Sequence, residues 1–172
     1  METHAAVAAL ATTPMQGLVL GLLALPICLW VAYTDLSEMI IRNQAVLALI
    51  AVFAVAGFFV MPFADYAWRW SHLVVVIGIG FVMNMFGMLG AGDAKFAGAM
   101  APFIALPDVV EVFALFAALL LLSWFLHRIA RNISAIRNLA PDWKSWEEKK
   151  NFPMGLTLTT TLMAYLGLAA AG

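Results

Sequence analysis

Two aspartates, Asp35 and Asp93, are the residues from which chemistry can be argued. Asp93 lies in the run Gly90-Ala91-Gly92-Asp93-Ala94-Lys95, where one apolar segment ends and the next begins. It is the only Asp or Glu between Tyr66 and Pro107. Asp35 follows the first apolar run, in a short polar stretch from Thr34 to Asn43. A charge held in a hydrocarbon core costs roughly 3 kcal/mol on insertion scales and is by default a functional candidate. Brought together in a poorly solvated site, two carboxylates do not both ionise easily; they share a proton and titrate as a pair. The ionised member can then deprotonate a water while the protonated member polarises a peptide carbonyl. Gly90 and Gly92, lacking Cβ atoms, would let backbone and substrate approach closely. Lys95 has two readings, biasing the ionisation of Asp93 or anchoring a helix end by snorkelling, and anchoring is the simpler.

A structural reading competes with the chemical one. An aspartate at a membrane interface often caps a helix whose first amides need an acceptor, and Asp93 before Ala94-Lys95-Phe96-Ala97 has the form of an N-cap. A lone Gly-x-Gly-Asp is a weak signal. Spacing and topology alone leave both readings open.

The elements that would hold these aspartates are membrane helices. Of the 172 residues, 65% are hydrophobic and 11% charged, which no soluble domain of this length could bury. The single cysteine, Cys28, excludes a disulfide framework and a Cys-x-x-Cys metal site. His4, His72 and His127 have no ligand spacing, so no metal and no cofactor is expected, and nothing suggests nucleic-acid binding. The first residues lack Lys and Arg, so no cleavable signal peptide is expected.

A helix needs about 20 apolar residues to cross the bilayer core. Residues 16–33 are the first span, with Pro26 expected to kink it, and 44–61 the second. A loop with Asp65 and Arg69, flanked by interfacial Trp68 and Trp70, leads to a third span over 72–89. Residues 94–106 form a short fourth segment, 109–127 the fifth and 153–171 the sixth. The expected fold is an all-α polytopic bundle of about six transmembrane helices, forming a single membrane domain over 1–172. With the N-terminus outside, the 34–43, 87–95 and 128–150 stretches face the cytoplasm. They carry Arg42, Lys95, Arg128, Arg131, Arg137, Lys144, Lys149 and Lys150, and only Arg69 among the basic residues lies elsewhere. Asp35 and Asp93 then fall at one depth on one face, whereas Glu2, Asp65, Asp108 and Glu111 lie on the other side with no relation to them.

Two further stretches carry less. Ile129, Ile133, Ile136 and Leu139 recur at helical spacing among Arg128, Arg131 and Arg137, which suits an amphipathic helix on the cytoplasmic leaflet; membrane anchoring is favoured over partner recognition. Met83, Met85 and Met88 read first as packing material, second as an adaptable groove for varied helices.

With these motifs in hand, the chain resembles the type IV prepilin leader peptidases, membrane aspartic proteases of the Gly-x-Gly-Asp class. In that family the first aspartate is followed by a hydrophobic residue and then Ile-Pro-Asn; here Asp35-Leu36 is followed by Ile41-Arg42-Asn43. Gly90, Gly92, Asp93 and Lys95 match Gly-x-Gly-Asp-x-Lys, and Pro153-Met154-Gly155 resembles a Pro-x-Gly element that opens the last helix. Arg42 departs from the pattern, standing where proline is usual. Larger members add a Cys-x-x-Cys domain and methylate the new N-terminus; the size here resembles the small, peptidase-only members of tight-adherence (Flp-type) pilus systems.

The resemblance implies a multi-pass protein of the inner membrane with its active site facing the cytoplasm. The substrate would be a prepilin, a short basic leader followed by an apolar helix, docked laterally from the lipid bilayer. Asp35 and Asp93 would activate the water that cuts it, and Glu38 would help hold the basic leader. Two alternatives from other classes are a Gly-x-Gly-Asp protease for other membrane substrates and a non-enzymatic transporter or assembly factor. A transporter would place its acids near mid-membrane within internal pseudo-symmetry, and neither is visible. The oligomeric state is not legible in the sequence.

Overall fold

The computed structural model describes residues 10–148 and 151–172, and every element in them is helical. Glu2, His4, Lys149 and Lys150 lie outside the described residues. Helix α1 spans Pro14–Glu38. Its start is a capping box: Thr13 Oγ1 accepts the Gln16 amide and Gln16 Oε1 accepts the Thr13 amide, with Pro14 in the first turn. Pro26 lies on an exposed face inside an unbroken helix. No Gly or Pro follows before Glu38, so the helix runs five residues past the apolar stretch and carries Asp35 in its last turns.

Helix α2 covers Asn43–Val60 and contains a π turn at Phe53–Gly57. Such a turn disturbs the regular hydrogen-bond ladder, and the Tyr66 hydroxyl donates to the Ala54 carbonyl at 3.0 Å. Helix α3 is Phe63–Met85. The stretch read as a loop around Asp65 and Arg69 is therefore its first two turns. Asp65 favours the positive helix start, and Arg69 is buried within the bundle. Trp68 is exposed as expected, but Trp70 turns inward, its ring edge-on to Phe53 at 5.4 Å.

Helix α4 is the short one, Ala91–Met100, continued by a 3-10 turn at Ala101–Phe103. Another 3-10 turn, Leu106–Asp108, leads into helix α5, Val109–Asn132. After the four-residue α6, Ser134–Arg137, the last helix is α7, Met154–Ala171.

The central pair is α1 against α7, and it is antiparallel. Gly17 near one end lies so close to α7 that a Cβ there would sit 2.7 Å from the Ala170 nitrogen, while Asp35 near the other end meets Leu156. Lipid tails give helices no hydrophobic reason to associate, so contact of small residues does the work. α3 and α4 are antiparallel as well. Gly80 packs on Ala94, and Arg69 reaches the Phe103 carbonyl. The segment from Ala91 to Ile104 thus retraces α3 and passes through the bundle in only about 20 Å. Among the described residues, five helices are long and apolar enough to cross a membrane, and this thin pass lies beside them in the bundle. The core is built of Leu20, Val31, Leu49, Phe53, Phe96, Phe103, Leu162 and Tyr165. α3 and α5 bury least and turn large apolar side chains such as Phe81, Phe113 and Phe125 outward, as a lipid solvent allows.

The 128–150 stretch departs from the amphipathic helix expected of it. Arg128 and Arg131 belong to the last turns of α5, the helix breaks at extended Ile133, and Pro141 lies within the turns that follow. Trp146 and Ser145 are buried. Trp146 stacks on His127 at 5.1 Å and on Trp143 at 5.4 Å, and Trp143 meets Tyr33 edge-on at 6.4 Å. Aromatic packing ties this strap from α5 across the end of α1.

Candidate active site

Asp35 and Asp93 open on one cavity of about 990 Å³ at the end of the bundle where α1 finishes and α4 and α7 begin. Asp35 is 5% exposed, and Asp93 is half-buried. Met39, Ile41, Leu120, Leu121, Phe152 and Met154 supply much of an apolar lining, and the strap contributes Glu148 and Asn151. The volume is at the upper end for ligand sites, about 300–1,000 Å³, and suits an extended peptide segment.

Asp35 is held from the far end of the sequence. The Leu156 amide in the first turn of α7 donates to Asp35 Oδ2 at 3.3 Å. Helix N-terminal amides lack partners of their own, so a carboxylate there satisfies one of them and meets the positive end of the dipole. Pro153 is the residue before α7, where a missing N–H costs no helix bond. Gly155 must be small, because a Cβ there would lie 2.8 Å from Asp35 Oδ2 and 2.9 Å from its Cγ. The Pro153-Met154-Gly155 element is thus a seat for Asp35.

Asp93 is not the cap of its helix. Gly90, extended at φ −65° and ψ 144°, precedes α4, and Asp93 belongs to the first turn with its carboxylate folded back over Gly90. A Cβ on Gly90 would lie 2.5 Å from Asp93 Oδ2. Gly92 abuts the segment after α1, where a Cβ would come within 3.3 Å of Ile41 Cβ. The two glycines therefore bring the α4 start against both its own carboxylate and the chain that follows Asp35.

Lys95 Nζ donates to Asn43 Oδ1 at 3.3 Å on an exposed rim, joining the start of α4 to the start of α2. Glu38 is apart from this group. It is half-exposed, holds Arg42 through two contacts of 2.7 and 2.8 Å, and does not line the cavity. Arg42, at φ −75° and ψ 136°, stands just before α2.

Sequence reasoning missed several residues of the site. Met39 has the left-handed backbone φ 58°, ψ 38°, and its amide bonds the Asp35 carbonyl at 3.0 Å, turning the chain sharply after α1. Phe152, Asn151 and Trp124 line the cavity without any motif to announce them. The one available signal was Pro153-Met154-Gly155, which marked the opening of the last helix but neither its place beside Asp35 nor the backbone donor.

The model of the type IV leader peptidase family matches residues 22–126, more than half of the chain and including both aspartates. No curated protein and no solved structure matches the chain. A polytopic helical bundle with two aspartates on one cavity, and this match over more than half of the chain, agree: the chain belongs to the type IV leader peptidase family, a membrane peptidase family.

Proposed function

We propose that the chain is a membrane-embedded aspartic endopeptidase that removes the short basic leader of type IV prepilins of the Flp type, at the cytoplasmic face of the inner membrane. The observation that carries this reading is that Asp35 and Asp93, 58 positions apart in sequence, open on the same apolar-walled cavity. The pair shares one proton. The ionised carboxylate takes a proton from water as its oxygen attacks the scissile carbonyl carbon. The protonated carboxyl donates to the carbonyl oxygen, and collapse of the tetrahedral intermediate passes a proton to the leaving amine. The apolar wall of the cavity, from Leu120 and Leu121 on α5 to Met39 after α1, suits the junction between leader and apolar helix. Gly90 keeps space at Asp93 and Gly155 at Asp35, Gly92 lets the start of α4 approach Ile41, Pro153 seats Asp35, and Lys95 with Asn43 ties the two motif-bearing segments together. Removal of the leader needs no cofactor by this route.

The test is cleavage of a candidate prepilin in membranes by wild type, Asp35→Asn and Asp93→Asn. The size shift and the new N-terminus are read, and each variant is checked for normal membrane levels. Wild-type cleavage with both variants silent supports the shared-proton pair. Full activity in either variant sinks the mechanism, and a silent wild type on several pilins returns the question to a transporter or scaffold.

A further inference from the structure

A second polar cluster lies at the opposite end of the bundle from the cavity. The side chains of Thr12, Arg69, Asp108 and Tyr165 are each more than nine-tenths buried there. Arg69 Nη1 donates to the carbonyls of Phe103 at 3.0 Å and Pro102 at 3.4 Å, and Nη2 reaches Thr12 Oγ1 at 3.4 Å. The Tyr165 hydroxyl donates to Asp108 Oδ2 at 2.7 Å, accepts the Ala105 amide at 3.2 Å and pairs with Thr12 Oγ1 at 2.5 Å. Asp108 also accepts the amides of Ala11 at 2.7 Å and Thr12 at 3.1 Å. The basic residue that breaks the charge bias, and an acid that looked unrelated to the site, are therefore parts of one knot.

The knot exists because α4 is short. Its continuation, Ala101–Phe103, is buried in the bundle, and the carbonyls that end it have no helical partners and take donors from neighbouring elements. Arg69 serves two of them, and His72 Nδ1 lies 3.2 Å from the next, the Ile104 oxygen. A cation is also favourable at that negative helix end.

Each of the three rods leaving the knot ends in the cavity. Phe103 is ten residues from Asp93 along the thin crossing, Tyr165 is nine from Leu156 on α7, and Thr12 precedes α1, which carries Asp35 near its other end. Helices transmit axial displacement with little loss, so a slip of α4 at Arg69 reappears at Asp93. A misplacement of about 1 Å at reacting groups costs on the order of a hundredfold in rate.

We propose that Arg69 is a positioning residue for proteolysis. With Tyr165 and Asp108 it fixes the axial register of α4 against α1 and α7, and so holds Asp93 in register with Asp35 from the far side of the bundle. This rests on the reading of Asp35 and Asp93 as the reacting pair. A purely structural Arg69 would change how much protein folds, not the register or turnover of the folded molecules.

Arg69→Met, Arg69→Lys and Tyr165→Phe are compared in the full chain in membranes, alone and with Ile41→Cys and Gly92→Cys together. A Cβ at residue 92 would lie 3.3 Å from that of Ile41, near disulfide geometry of about 3.5–4.5 Å, so oxidation there reads the α4 register beside Asp93 without using activity. On the folded fraction, Arg69→Met and Tyr165→Phe are expected to lower disulfide yield roughly threefold and kcat roughly tenfold or more, with KM within about twofold. Arg69→Lys, which restores a donor, recovers part of both. An unchanged disulfide yield overturns the proposal whatever the activity does, and so does a lowered yield with undiminished kcat. If wild type cleaves nothing while the yield still falls, the register device stands and the reading of the aspartate pair is what fails.

Discussion

The Leu156 amide donates to Asp35 Oδ2 across 3.3 Å, although the two residues are 121 positions apart. The contact joins the end of α1 to the start of α7 and leaves no room between them. Gly155 is the residue whose size decides it. Gly155→Ala would put a Cβ 2.8 Å from Asp35 Oδ2 and 3.0 Å from Ile41 Cδ1. The expected result is at least a tenfold loss of kcat together with about 1–3 kcal/mol of stability, from overpacking. Cleavage kinetics and thermal melting check it, and wild-type kcat would mean that Asp35 can move aside without consequence.

Met39 holds a left-handed backbone, φ 58° and ψ 38°, which costs an L-residue roughly 1–2 kcal/mol. Met39→Gly is expected to raise stability by about 1 kcal/mol, since glycine is the usual residue just past a helix end. KM should rise, because the Met39 side chain lines the cavity. Melting temperature and KM are measured together; a lowered melting temperature would show that the contacts of Met39 outweigh its strain.

Arg42 occupies a backbone that proline could take. Its φ is −75°, and among the described residues no hydrogen bond from its amide is found. Arg42→Pro should contribute about 0.4–1 kcal/mol by restricting the unfolded chain. It removes the exposed ion pair with Glu38, worth about 0.3–0.5 kcal/mol. Stability within about 0.5 kcal/mol of wild type and retained cleavage are expected from denaturation and activity assays. A loss above roughly 1 kcal/mol would contradict this view of the turn.

Glu38→Gln separates two roles for one carboxylate. If a basic leader meets Glu38, it must first displace Arg42 from contacts of 2.7 and 2.8 Å. The expected effect is a raised KM with kcat nearly unchanged, and a KM equal to wild type removes Glu38 from substrate binding.

What the sequence revealed was whatever is carried by local pattern. Apolar runs located the long crossings, and the separate segment expected over 94–106 overlaps the short α4 and the 3-10 turn that continues it. Asp35 and Asp93 stood out because carboxylates are scarce in such a chain. The knot of Arg69, Asp108 and Tyr165 was not legible, since its members are of ordinary type and separated by tens of residues. The loop assigned around Arg69 followed from treating charge as exposure, whereas the unpaired carbonyls ending α4 give a buried cation its partners. The 128–150 stretch misled in the opposite way. Its isoleucine spacing was real, but Trp143 and Trp146 found aromatic partners in Tyr33 and His127 that periodicity cannot show.

The π turn at Phe53–Gly57 bears on what changes in gene length the second crossing can absorb. A π turn accommodates one residue more than regular α geometry, so loss of a single codon for Ala54 or Val55 lets α2 close into an ordinary helix with both halves still on their faces. The same deletion near Leu47 would rotate one half against the other by about 100°, turning Leu49 and Phe53 away from the core they fill. In this crossing, the spare residue and the tolerance for losing one coincide.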